Sequence, residues 1–153
     1  MTPELIMAFA IAAGGYGDFC KTADCRPPEV RYAQAAFLQE LCKANGGCYD
    51  RANRRVYINE VFAATPAMTR RGWAMTAHEF THHLQELAGK WKFAGNPCNV
   101  YRSELQAYTV QDKMLASMGE GRVELSSPDH EINKWYLPRC ARARDAGLVR
   151  DIE

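Results

Sequence analysis

The sequence has almost no net charge, no long apolar run and no closely paired cysteines, and each absence closes a class of function. Its 19 basic and 18 acidic side chains leave a formal charge of +1, so no field exists to gather nucleic acid or an anionic membrane. Local clusters at Arg51, Arg54 and Arg55, at Arg70 and Arg71, and at Arg139, Arg142 and Arg144 read as solvated faces. No stretch approaches the roughly 18 consecutive apolar residues of a membrane span. The lack of any Cys-x-x-Cys pair argues against a structural zinc site built on thiolates. Nothing in 153 residues that are 47% hydrophobic requires more than one domain, and 1–153 is read as one unit around one core.

Histidine is also scarce, and its placement is what stands out. Three of the four histidines lie in the stretch Thr76-Ala77-His78-Glu79-Phe80-Thr81-His82-His83-Leu84-Gln85, which reads H-E-x-x-H. On a helix, residues four apart share a face, so His78 and His82 can direct two imidazoles at one ion. Glu79, one step round, can hold a water beside that ion and take its proton. Trp73, Ala77, Phe80, Leu84 and Leu87 recur at spacings of four and three and predict a buried stripe on the same helix. Thr65-Pro66 or Thr69 offers a start and Gly89 a stop.

A catalytic zinc site needs a third protein ligand and an open position. A third histidine later on the same run is excluded, because positions 85 and 88 are Gln85 and Ala88. A carboxylate from a second helix is the alternative, and Glu104 within Arg102-Ser103-Glu104-Leu105-Gln106-Ala107-Tyr108 supplies one after room for a turn. Glu86 follows the histidines on their own helix and cannot easily converge on their metal.

His78-Glu79-x-x-His82 followed by Ser103-Glu104-Leu105-Gln106-Ala107 resembles the gluzincin branch of the zincin metallopeptidases, in small single-domain forms reading H-E-x-x-H-x-L-Q and then E-x-x-A-Y. The similarity covers roughly 54–118. The resemblance implies an α+β, zincin-like domain with a small sheet, a backing helix, an active-site helix and a glutamate helix. It implies one Zn2+ per chain on His78, His82 and Glu104. Glu79 would be the general base in hydrolysis of a peptide or protein substrate by a zinc-bound water. Thermolysin-like members carry an aspartate four residues after the ligand glutamate to orient a histidine; here that position is Tyr108, so the support must be built otherwise. Such sites also place a His or Tyr where charge develops on the substrate oxygen, for which Tyr108, His130, Tyr101 and His83 are candidates. His130, alone in the tail, reads by default as a surface histidine. A metal-holding, disulfide-stabilised interaction module without activity is the rival reading, against which Glu79 speaks. Inhibition of the site by the chain's own tail is a third.

Six cysteines are many for this length and the metal site uses none of them. Three disulfides made in an oxidising compartment, in a secreted or periplasmic protein, are the simpler account. Short loops favour Cys20 with Cys25 and Cys42 with Cys48, which leaves Cys98 with Cys140. A monomer is expected.

Elsewhere, Thr2-Pro3-Glu4 opens a helix whose apolar run Leu5 to Ala13 ends at Gly14-Gly15. That run has the length of a signal core. It lacks a basic residue ahead of it, so it is read as a helix of the mature chain, with any export signal outside this sequence. Asp18 to Pro28 is a loop, 29–33 a strand, 35–42 a helix closed by Asn45-Gly46-Gly47, 49–53 a turn, and 55–60 a second strand. By the resemblance, 55–60 is the sheet edge that pairs with an extended substrate; an ordinary core strand reads equally well. Trp91, Phe93, Gly95 and Pro97 form a lid over the cleft or cap the core. Helix 101–118 is expected to bury Leu105, Ala107, Val110, Met114 and Met118. Residues 119–153 are expected to be a short helical or irregular tail packed on the rest.

Overall fold

The computed structural model describes residues 1–91 and 96–149. The chain is α+β: helices α1 (Pro3–Gly14), α2 (Ala35–Cys42), α3 (Pro66–Leu87), α4 (Pro97–Ser117) and α5 (Leu137–Asp145) accompany strands β1 (Glu29–Ala33), β2 (Gly47–Asp50) and β3 (Arg55–Asn59). Phe93 and Gly95, offered above as parts of a lid, lie outside the described residues.

The sheet has the order β1-β3-β2, with β1 parallel and β2 antiparallel to β3. Residues 55–59 are therefore the central strand, paired on both sides, and the expectation of a substrate-binding edge there is corrected. Alternation of apolar residues shows which positions face the core but not the order of strands. The edges are β1 and β2, the latter a short strand whose Tyr49-Asp50 looks like turn chemistry in sequence. Side chains of β3 alternate as a two-sided strand requires: Val56 and Ile58 enter the main core, while Tyr57 packs with Leu38 and Cys48 on the other face.

Helix α3 organises the interior. Thr65 caps its start by accepting the Met68 N–H at 3.2 Å, with Pro66 at the first position. Its end is a glycine stop: Gly89 has φ +66°, and the Lys90 N–H returns to the Gln85 carbonyl at 2.9 Å. Ala74, Ala77, Phe80 and Leu84 are fully buried and meet Ile6, Met7 and Ala10 of α1 and Val110, Met114 and Leu115 of α4. Trp73 and Met118 pack at the margin of this cluster. Helix α4 starts earlier than the sequence suggests because Asn96 caps it, accepting the N–H groups of Cys98 and Asn99.

Three disulfides form, Cys20–Cys25, Cys42–Cys48 and Cys98–Cys140, consistent with an oxidising, extracellular environment. The third ties the first turn of α4 to α5. A π-helical turn, Ile132–Tyr136, leads into α5. No helix among the described residues is long and apolar enough to cross a membrane.

Candidate metal centre

Two polar stripes run along α3 beside its apolar one. His78, His82 and Gln85 face α4, and Glu79, His83 and Glu86 face β2, each stripe following the spacing of one helix face. From α4, Glu104 projects against the first stripe. His78 Nε2 lies 3.3 Å from one carboxylate oxygen of Glu104 and His82 Nε2 lies 3.3 Å from the other. The two Nε2 atoms are 3.2 Å apart.

These three groups could hold a metal ion. Ligands at about 2.0–2.2 Å from one tetrahedral ion lie roughly 3.3–3.5 Å from one another, close to the separations seen. Convergence of two imidazole nitrogens and a carboxylate brings lone pairs together, and in the metal-free protein protons must fill the gap. Burial opposes a charge on His82, but the Glu104 carboxylate, Glu79 and the bond to Gln85 outweigh it and push its pKa up to about 9. Burial likewise opposes ionisation of Glu104, yet the two histidines hold its carboxyl well below the usual range.

The orienting contacts differ for the two histidines. His82 Nδ1 lies 2.9 Å from Gln85 Oε1 and 3.2 Å from Ser103 Oγ. The Gln85 amide nitrogen donates to the Ser103 carbonyl and to Gln106 Oε1, so Oε1 is its accepting end and Nδ1 of His82 carries the hydrogen. In the neutral imidazole, the form that binds a metal, the electron pair is then on Nε2, the atom that faces Glu104. His78 Nδ1 is buried without a partner among the described residues, and so is Gln111 Oε1. Gln111 follows Glu104 and Tyr108 on one face of α4. Tyr108, where thermolysin-like enzymes have aspartate, packs its ring edge-on against His78 at 4.6 Å between centroids.

Glu79 is 5% exposed and lines the same cleft of about 950 Å³ as the three metal-binding candidates. Burial raises its pKa, the histidines oppose this, and the Tyr49 backbone N–H donates to its carboxylate. Tyr49 belongs to the edge strand, so β2 both borders the cleft and holds this carboxylate. Its phenol reaches back to His83 Nδ1 at 2.9 Å.

Of the four candidates for a charge-stabilising donor, Tyr108 lines the cleft, but its hydroxyl donates to Glu131. His83 sits on the β2-facing stripe. His130 is 6% exposed rather than a surface residue, packs edge-on behind Tyr108 at 4.7 Å, and accepts the Ile132 N–H. Neither His130 nor Tyr101 borders the cleft. Sequence reasoning missed Tyr136. It lines the cleft, and burial pushes its phenol pKa up, with Glu104 and Glu131 adding and Arg139 opposing, so it stays a hydrogen-bond donor. Arg139, read from sequence as part of a solvated face, also lines the cleft. The one available signal was the aromatic pair Trp135-Tyr136 before Pro138 in an otherwise polar tail.

Comparison of the chain with protein-family models, with curated proteins and with solved structures finds no match.

Proposed function

We propose that the protein is a zinc-dependent peptidase of zincin-like architecture. The observation that carries this reading is the convergence of His78, His82 and Glu104 with Glu79 beside them, at the foot of a cleft bordered by a free strand edge. Two imidazoles and a carboxylate are a donor set that suits zinc. When bound, the ion supplies a Lewis acid for a carbonyl and lowers the pKa of a coordinated water toward neutrality.

The chain's own residues do the rest. Glu79, its carboxylate steadied by the Tyr49 amide, takes a proton from the attacking water and passes it to the leaving amine. Its pKa, raised by burial, favours both halves of that transfer. Tyr136 presents a protonated phenol to the oxygen on which charge develops, in place of Tyr108 or His130. Gly47 and Tyr49 of β2 border the cleft with main-chain groups turned away from β3, and apart from the Tyr49 N–H, which is spent on Glu79, these offer pairing to an extended peptide without regard to its side chains.

The test is Glu79→Gln assayed on an unstructured protein. Zinc content should be unchanged and turnover should fall by about 10²–10⁴. Equal turnover in the two proteins would overturn the reading.

A further inference from the structure

We propose that the cleft selects acidic peptides, with Lys43 on one wall and Arg139 on the other reading substrate carboxylates on either side of the bond presented to Glu79 and the metal-binding residues. This rests on the peptidase reading above and names its substrate class.

The charged groups of the cleft divide by whether they already have partners. Its carboxylates are engaged: Glu104 faces the two imidazoles, Glu79 accepts the Tyr49 amide, and Glu131 accepts the Tyr108 hydroxyl. Lys43 and Arg139 line the same cleft and pair with no carboxylate among the described residues. Arg51, the third cation of the lining, has a partner in the fold. A divalent ion at the centre would add positive charge to a cleft whose uncommitted groups are already cationic.

Both side chains are exposed, on backbone that a disulfide restrains. Lys43 follows Cys42 inside the short loop closed by Cys42–Cys48, where it takes a left-handed backbone (φ 55°) as it leaves α2. Arg139 precedes Cys140, whose disulfide to Cys98 fixes α5 against α4. Stapling the segments that carry them lowers the ordering cost of binding. An arginine fork adds directional, charge-assisted bonds to a carboxylate. Two cations on stapled segments flanking a site that grips the peptide backbone by a strand edge give selectivity where main-chain pairing alone gives none.

The experiment measures binding of end-blocked peptides to zinc-loaded Glu79→Gln protein by fluorescence anisotropy. The peptides carry Glu, Gln or Lys at the positions flanking the central bond. Glu peptides should bind roughly tenfold or more tightly than their Gln counterparts. In Lys43→Asn/Arg139→Gln, where Asn suits the left-handed backbone, that preference should disappear, and Arg139→Glu should favour Lys peptides. Equal affinities in the parent protein, or a preference that survives the double substitution, would overturn the proposal. A matching peptide with a free C-terminus shows whether a terminal carboxylate satisfies the same cations. Cleavage sites of the unsubstituted enzyme on an unstructured protein separate the two readings. Cleavage without acidic preference overturns this inference alone. Binding that depends on Lys43 and Arg139 with no cleavage supports it and overturns the peptidase reading.

Discussion

Gln85 accepts a hydrogen bond from Nδ1 of His82 at 2.9 Å, while its amide nitrogen is spent on the Ser103 carbonyl and Gln106. The chain of bonds continues from Gln106 to the Gly14 carbonyl and the Tyr16 hydroxyl, linking the candidate metal centre to the end of α1. Gln85→Leu removes the acceptor that fixes the His82 ring. Zinc affinity is expected to fall about 10–100-fold, measured by competition with a chromophoric chelator, while Ser103→Ala, which leaves the Gln85 bond in place, falls less.

The metal-free protein should lose stability as pH rises. His82 has a folded-state pKa raised to about 9 from an ordinary 6.5, so its contribution is fully present below about 6.5 and is lost as pH climbs toward 9. Glu104 is depressed; its contribution is present above the ordinary carboxylate range and is lost in acid. Thermal melts in chelator should therefore show the melting temperature falling from about pH 6.5 to 9. Added zinc should raise it most at the alkaline end, where the His82 imidazole need give up no proton. A metal-free melting temperature that rises over that window would contradict this.

Breaking Cys98–Cys140 should cost more stability than breaking either short-loop disulfide. The cysteines are 42 residues apart, against 5 and 6 for the other pairs, and loop entropy assigns the long loop about 4 kcal/mol and the short ones about 2. Cys98→Ser/Cys140→Ser compared with Cys20→Ser/Cys25→Ser by urea denaturation reads the difference. The first pair should also lower peptide binding, because α5 carries Arg139.

The cluster of His78, His82 and Glu104 was legible because helical spacing is written directly in sequence: His78 and His82 share a face whatever the fold, and Glu104 needs one helix to dock against another. Cysteine pairing was legible because the two short loops left one pair over. Strand order was not, since nothing in the alternation of Arg55–Asn59 says that β2 and β1 flank it. Tyr136 and Arg139 were invisible for a related reason: they reach the cleft through the Cys98–Cys140 link and a π-helical turn, and no periodicity encodes where a tail returns. Gln85 was read for the glycine it is not and as the close of H-E-x-x-H-x-L-Q, neither of which says that its side chain orients His82.

Elemental analysis of the purified protein beside His82→Ala and Glu104→Ala reads out whether one metal ion is held on His78, His82 and Glu104. About one zinc per chain is expected in the parent protein, with zinc lost and the fold retained in both variants. A parent protein that takes up no zinc after incubation with the metal, or variants that hold it as well as the parent, would contradict a single metal centre on these residues.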